Sequence, residues 1–376
     1  MAAEFSPITL MWTAAQKGVL CEVLPHVCTA TDRQIASALF VAASNDHAHV
    51  VAALIGAREF ACAGLNYTCY TPALCHAVCM GSTSAARVLL TAKASVNRAL
   101  TVLTLGGTRC VSPLGVAAAQ GHVDTVLMLL HAGADQHTHD PPLVEAAFGG
   151  HALIVHALVA EKADVHGALG CWALVAAAGK DRADVVKVLL DAGALPDSFH
   201  CSTTPLMASA VNTPLHASDK DKVIRALLDA KADVHLHVRP DGHRTTTACI
   251  RAVIGQQVGA LKLLLGARVS VNAPQGQGTY NDVLLTVAAR HGAHHVARAL
   301  LRAKADVHGA AGPNAAGAAR VKSPIYSAVT AGEAAVVRLL LRAGADAYPC
   351  LLQIAARHGF EDVARALNAH EAQLGV

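Results

Sequence analysis

The chain of 376 residues is 53% hydrophobic and only 15% charged, so it has ample apolar surface to bury, which argues against disorder. Its net charge of +3, with no basic run longer than a pair, lacks the basic stripe that nucleic-acid binding requires. The 11 cysteines form no repeating frame, which favours a cytoplasmic or nuclear compartment over a secreted disulfide scaffold. The N-terminal residues lack a signal-peptide pattern, and no apolar stretch is long enough to span a membrane.

The first part of the chain predicts helices with one apolar face. The pattern runs through Ile8–Val27 and Ile35–Phe60, where the apolar positions are spaced for burial on one side. It is looser here than further along the chain.

A dense group of cysteines follows, comprising Cys62, Cys69, Cys75 and Cys79, with His76 beside them. Tetrahedral zinc needs about four such ligands that converge. The pair Cys75 and Cys79, however, brackets two small apolar residues of a predicted core, and cysteine often behaves as a small buried hydrophobe. Buried structural cysteine is the favoured interpretation, and a zinc site is the alternative.

The segment Ser112–Asp135 has the clearest pattern of helix-start, turn and apolar residues in the chain. Pro113 fits the first turn of a helix, which the small residues of Leu114–Gln120 then continue. Gly121 ends that helix, since glycine supplies the left-handed turn. A second helix with one apolar face comes next, and Gly-Ala-Asp ends it.

This pattern recurs in Asp181–Ala194, Val283–Val307 and Ser323–Asp346. Successive copies end at equivalent residues such as Asp135 and Asp164, which are 29 positions apart. The intervals between other such residues reach 40 positions. Self-similarity at this period predicts a solenoid, in which each copy packs only on its neighbours.

The repeated segment resembles the ankyrin repeat family, whose units read Thr-Pro-Leu-His, Ala-Ala, Gly-His, Val-Val, Leu-Leu and Gly-Ala-Asp-Val-Asn. The resemblance implies an all-α repeat solenoid of stacked helix-turn-helix units, with hairpin-like fingers on one side and a curved concave face. About 10 to 11 repeats are implied over nearly the whole chain, as a single domain of residues 1–376. The approximate boundaries are 1–34 (N-terminal cap), 35–70, 71–111, 112–140, 141–170, 171–203, 204–244, 245–281, 282–322, 323–349 and 350–376 (C-terminal cap).

Long connections mark departures from this pattern. Extra residues around Asn212 to Asp221 predict a bulge between two helices of one repeat. Longer fingers are expected at Arg98–Val111, Leu236–Arg244, Ala273–Asn281 and Gly309–Lys322.

The histidines invite a catalytic or metal-binding reading, because 22 are present. His122 and His151 follow the glycine of an inter-helix turn, and the resemblance implies a structural, hydrogen-bonding role for them. His291, His294 and His295 lie close together, but no acidic partner is near them in sequence, so a metal pair there is only an alternative. No nucleophile or phosphate-loop motif is present, so we expect no enzymatic activity, no cofactor and no metal.

Two asparagines carry a possible modification. Asn97 and Asn272 each end a Ser-Val-Asn finger motif. The resemblance implies that asparagine at this place is a target of asparaginyl hydroxylase, although serine stands where the usual acidic residue precedes the target.

The resemblance also implies that specificity lies on first helices and finger tips, outside the framework positions. Phe148 and Arg290 are the first candidates, since aromatic residues and arginine anchor many interfaces. The full set of predicted partner-binding residues is Gln120, His137, His139, Asp140, Glu145, Phe148, Arg290, Thr330 and Arg357.

Together these features predict a non-catalytic scaffold that binds a protein or peptide partner on the concave face of finger and first-helix residues. The alternative is an adaptor or substrate receptor in a ubiquitin-ligase or signalling assembly. A further alternative is an enzyme or a zinc-binding protein. We expect a cytoplasmic monomer, with the nucleus as the alternative compartment, and with no nucleic-acid partner and no membrane insertion.

Overall fold

The structure is a computed structural model that describes residues 7–27, 29–60, 70–104, 107–138, 140–211, 217–238, 246–267, 269–273, 283–309 and 323–374. Within these residues the chain forms 22 helices and one two-stranded antiparallel hairpin. None of the helices in the described ranges is both long and apolar enough to cross a membrane.

By its contacts the chain divides into an N-terminal unit, Met1–Ala173, and a C-terminal unit, Leu174–Val376. In the N-terminal unit the elements are α1 (Pro7–Lys17), α2 (Leu20–Val27), α3 (Asp32–Ser44), α4 (Ala48–Phe60), α5 (Tyr70–Cys79), α6 (Thr83–Thr91), β1 (Leu100–Thr104), β2 (Gly107–Val111), α7 (Pro113–Gln120), α8 (Val123–His131), α9 (Pro142–Gly149) and α10 (Ala152–Ala160).

The boundary falls within α11 (Ala168–Gly179), which begins before the expected repeat boundary at residue 171. The C-terminal unit continues with α12 (Ala183–Asp191), α13 (Pro205–Ser209), α14 (Ala217–Asp229), α15 (Ala248–Ile254), α16 (Val258–Gly266), α17 (Leu284–Arg290), α18 (His294–Arg302), α19 (Pro324–Thr330), α20 (Ala334–Arg342), α21 (Pro349–Arg357) and α22 (Glu361–Leu374).

Each unit has two layers of helices. In the N-terminal unit the first helices of successive repeats pack in the order α1, α3, α5, α7, α9, and the second helices in the order α2, α4, α6, α8, α10. The C-terminal unit repeats this, with α13, α15, α17, α19, α21 in one layer and α12, α14, α16, α18, α20, α22 in the other. The predicted solenoid of helix-turn-helix repeats is therefore confirmed.

Local chemistry sets the ends of the first helices. In α7 the Ser112 hydroxyl accepts a hydrogen bond from the Gly115 amide at 3.0 Å, and Pro113 occupies the first turn. Gly121 ends the helix with a φ of +84°, as predicted, because glycine adopts the left-handed conformation without a steric penalty. Thr204, Thr247 and Ser323 cap three other first helices in the same way.

Histidines of the inter-helix turn link neighbouring repeats. The Nε2 atom of His122 lies 3.1 Å from the carbonyl oxygen of Cys79, and Nε2 of His151 lies 3.1 Å from that of Ala119. His47 makes the same contact with Gln16 at 3.0 Å. The predicted structural role of the turn histidines is confirmed for His122 and His151.

The fingers are linked as well. The Asn97 side chain accepts a hydrogen bond from the Asp135 amide at 2.8 Å, and Asn272 accepts one from the Asp306 amide at 2.8 Å. The finger predicted at Arg98–Val111 contains the β1–β2 hairpin, in which Leu100 pairs with Val111.

The bulge predicted around Asn212 to Asp221 is wrong for its second half. Residues 217–221 form the first turns of α14, because that helix extends through Ala217–Asp229. Residues 212–216 lie outside the described ranges, as do most of the fingers predicted at Leu236–Arg244, Ala273–Asn281 and Gly309–Lys322.

Candidate functional site

Several first helices of the N-terminal unit expose large apolar side chains. Phe40 on α3 is 38% exposed, Met80 after α5 is 58% exposed, and Phe148 on α9 is 51% exposed. Because α3, α5, α7 and α9 pack in sequence, these residues lie along one layer. We call the exposed side of these four helices, with Phe40, His76, Met80, Gln120 and Phe148, the first-helix face.

One end of this face is ordered by an aromatic stack. The rings of Phe40 and His76 lie 4.0 Å apart at an interplanar angle of 22°. Burial lowers the pKa of His76 below its usual value, so the ring is neutral near pH 7. Met80 follows His76 by about one helical turn, which places it on the same side of the helix, and we call Phe40, His76 and Met80 together the apolar strip.

The other end of the face is more polar. Gln120 immediately precedes the turn glycine of its repeat, as Met80 does in the repeat before, and it is exposed. Glu145 is half-buried on α9, one turn before Phe148. The structure thus brings together the predicted residues Gln120, Glu145 and Phe148 on the adjacent helices α7 and α9.

The other predicted residues lie elsewhere. His137 is exposed on the finger after α8, where its amide donates to the Asp135 carboxylate at 2.8 Å. Arg290, Thr330 and Arg357 are exposed at the ends of the first helices α17, α19 and α21 of the C-terminal unit. His139 lies outside the described residues.

The prediction that Asp140 binds a partner is wrong, because its side chain is not accessible. Asp140 is only 3% exposed, and its Oδ2 atom accepts a hydrogen bond from the Ser112 amide at 2.8 Å. The carboxyl group also lies over Gly115, where a β-carbon would be within 2.0 Å of Oδ2. Asp140 therefore fixes the finger to the start of α7.

Three residues of the first-helix face were not predicted, namely Phe40, His76 and Met80. Met80 could have been found, because it aligns with Gln120 by its distance from the turn glycine. Phe40 and His76 come together only through packing of α3 on α5, which no spacing within one repeat reveals.

The cysteine group does not assemble a metal site in the described residues. Burial raises the pKa of Cys75 to about 12, with Asp140 and Cys79 adding to the effect. Cys62 and Cys69 lie outside the described residues. Across the ranges the structure covers, no three His, Cys, Asp or Glu side chains converge as metal ligands, and this includes His291, His294 and His295.

A groove of about 690 Å³ lies between the second helices α6 and α8 of the N-terminal unit. Arg87 and Asp124 stand on its two walls, with Leu127, Met128 and His131 completing them.

This geometry defines a class: a helical repeat protein built from stacked helix-turn-helix units. A family model described as ankyrin repeats (3 copies) matches residues 114–200. The Ankyrin repeat and KH domain-containing protein mask-1 of Caenorhabditis elegans is 32% identical over 174 residues, which cover 41% of this chain. The chain spans only 6% of the length of that relative.

The crystal structure of the human ASB11 ankyrin repeat domain superposes with a TM-score of 0.50 at 24% identity, covering 62% of this chain and 98% of that domain. This likeness concerns the fold alone. Together with the repeated caps, turns and inter-repeat hydrogen bonds, the matches support an ankyrin repeat protein.

Proposed function

We propose that the protein is a non-catalytic interaction scaffold that binds a protein or peptide through the first-helix face of the N-terminal unit. Ankyrin repeats are in general modules of protein interaction. The observation that carries the proposal is the exposure of Phe40, Met80 and Phe148 along one layer of first helices, since large apolar groups grouped on a surface mark an interaction site.

The chemistry of the face suits a peptide or protein partner. Aromatic and methionine side chains are enriched in the cores of interfaces, where they lose contact with water. Gln120 and Glu145 supply hydrogen-bonding groups beside this apolar strip, which favours a defined orientation of the partner.

The scaffold also keeps the cost of binding low. The Phe40–His76 stack and the hydrogen bonds of His122 and His151 hold the first helices in place before any partner arrives. Little side-chain and loop ordering is then needed on association.

Affinity capture from lysate tests the proposal, with partners identified by mass spectrometry. The test variant combines Met80→Ala with Phe148→Ala. The matched control combines Leu127→Ala with Leu153→Ala, which removes two exposed apolar side chains from second helices of the same unit.

We expect the test variant to lose partners that both the wild type and the control retain. Loss of the same partners from the control alone would contradict the proposed face. A third variant, Arg290→Ala, asks whether the C-terminal unit contributes. Recurrent ubiquitin-ligase subunits among the partners captured by the wild type and the control would identify the scaffold as an adaptor of such an assembly.

A further inference from the structure

Two neighbouring second helices of the C-terminal unit carry four arginines in one arrangement. Arg298 and Arg302 lie on α18, and Arg338 and Arg342 lie on α20. All four side chains are exposed. We call this group the arginine patch.

The two pairs occupy the same register. Arg298 follows the fully buried Val296 and Ala297, and Arg338 follows the fully buried Val336 and Val337 in the same way. Residues four apart on a helix lie about 6 Å from each other, and packed helices lie about 8–10 Å apart. Since α18 packs on α20 and all four side chains are exposed, the four arginines lie close together on the surface of these helices, where Nη2 of Arg298 also lies 3.2 Å from Nε2 of His294.

Two other repeats of the same unit place an acidic residue at the second of these positions. On α12 the basic residue Lys187 is followed four positions later by Asp191, and on α14 Arg225 is followed by Asp229. A basic residue followed by an acidic one is favourable on a helix, whereas two basic residues at this spacing repel. In α18 and α20 arginine stands in place of the acidic residue, which suits the last helical turn and concentrates positive charge on these two helices.

The charge of the arginine patch is not balanced from within its own helices. The sequences of α16, α18 and α20 contain no Asp or Glu. In the part of the chain that the structure covers, no ion pair involves any of the four arginines. The acids that follow these helices are engaged elsewhere: Asp306 accepts from the His308 amide at 3.0 Å, and Asp346 lies 3.5 Å from the His308 ring.

A shallow groove adjoins the patch. It lies between α20 and α22, has a volume of about 110 Å³, and is lined by Arg338, Arg342 and His370 together with Leu341. The α22 wall carries the small residues Ala366 and Ala369, which leave room beside the arginines. Lys262 extends the basic row to α16, where it occupies the position of Arg298.

We propose that the arginine patch binds an acidic segment of a partner protein, one rich in aspartate or glutamate. Guanidinium groups suit this partner because they bind carboxylates with two parallel hydrogen bonds. The surroundings favour a short segment over a nucleic acid or an anionic membrane. Asp221 lies beside Gly259 on one flank, and Glu361 and Asp362 begin α22 on the other, so an extended polyanion would meet carboxylates there.

Fluorescence anisotropy on the full chain tests this with a labelled glutamate-rich peptide of about 12 residues, since an extended chain spans about 3.3 Å per residue. A glutamine-rich peptide of equal length is the neutral probe. The test variant combines Arg302→Ala with Arg342→Ala. The matched control combines Lys187→Ala with Arg225→Ala, which removes the same charge from second helices of the same unit.

We expect the glutamate peptide to bind at low ionic strength, the glutamine peptide not to bind, and the test variant to weaken binding by about tenfold or more. The control variant should change the dissociation constant by less than about twofold, and circular dichroism should show that both variants fold. Equal loss in both variants, or no binding of the glutamate peptide, overturns the proposal. Tighter binding of phosphatidylserine vesicles or duplex RNA through the same arginines also overturns it, in favour of that other class.

Discussion

The imidazole ring of His151 covers Gly121 of the preceding repeat. A β-carbon at Gly121 would lie 2.5 Å from Cε1 of His151, closer than real side chains approach. The same ring reaches past the glycine to the carbonyl oxygen of Ala119. Gly121 is thus required twice, once for its positive φ and once for the space that the histidine of the next repeat occupies.

Substitution Gly121→Ala should destabilise the protein more than Gly133→Ala. Both glycines have a positive φ, +84° and +81°, so alanine costs about 1–2 kcal/mol at either position. Only at Gly121 does the new methyl group meet a neighbour, whereas nothing lies within 4 Å at Gly133. Overpacking adds about 1–3 kcal/mol there.

Urea unfolding followed by circular dichroism measures the difference. Adding His151→Ala to Gly121→Ala should recover part of the loss, because it removes the clash while sacrificing one hydrogen bond. Equal midpoints for the two glycine variants would show that the close approach does not matter.

Substitution Asp140→Ala should lower the free energy of unfolding by about 1–3 kcal/mol, because the buried Ser112 amide loses its acceptor. Asp140→Asn keeps an oxygen for that amide and should cost less. The Oδ1 atom of Asp140 has no hydrogen-bond partner within the described residues, so the bond accepted by Oδ2 is the contact that asparagine has to keep. Thermal unfolding of the two variants side by side checks the order. A milder effect of alanine than of asparagine would contradict the proposed role of Asp140.

The repeat pattern predicted the framework because the framework is local. Pro113 and Gly121 fix the ends of α7 through backbone conformations that a few neighbouring residues determine. Asp140 was misplaced because its role depends on Gly115, a residue of another element that leaves the space its carboxyl group fills. The arginine patch was likewise not predicted, because its charge excess emerges only when α18 and α20 are set side by side.

Thiol reactivity should separate the buried from the exposed cysteines. Burial raises the pKa of Cys75 and of Cys249 to about 12, so at pH 8 almost no thiolate is present at either site. Cys21 and Cys201 are exposed. Brief iodoacetamide treatment of the native protein, with peptide mapping by mass spectrometry, should label the exposed pair and spare the buried pair. Labelling of Cys75 as fast as Cys21 would contradict its burial, and urea should abolish the difference.

Acidification should destabilise the fold through His76. Its pKa is lowered by burial, so between that value and the usual 6.5 the unfolded chain binds more protons than the folded one. The stability that the neutral ring contributes is therefore present above pH 6.5 and is lost as the pH falls through this range. His76→Gln should lose less stability than the wild type between pH 7 and pH 5.5. His137→Gln, at an exposed histidine, is the control. If His76→Gln and His137→Gln both lose as much stability as the wild type over this pH range, the assignment to His76 is refuted.

The finger asparagines should matter for the link between repeats rather than for the helices. The Asn97 side chain accepts a hydrogen bond from the Asp135 amide and donates one to the Gly133 carbonyl oxygen at 3.4 Å. A carboxylate can also accept such a bond, since Asp197 accepts one from the Asp233 amide at 2.7 Å. Asn97→Asp should therefore retain most of the stability, whereas Asn97→Ala should lose about 1 kcal/mol.

Amide hydrogen exchange of the finger at residues 133–138 reports this link directly. We expect faster exchange of the Asp135 amide in Asn97→Ala than in Asn97→Asp, with the exchange of α7 unchanged, because the α7 backbone amides are protected by bonds of their own. Equal protection of the Asp135 amide in both variants would show that the hydrogen bond is not formed in solution.

The predicted hydroxylation is tested by intact mass: co-expression with the asparaginyl hydroxylase should add 16 Da, and combining Asn97→Ala with Asn272→Ala should abolish the increase.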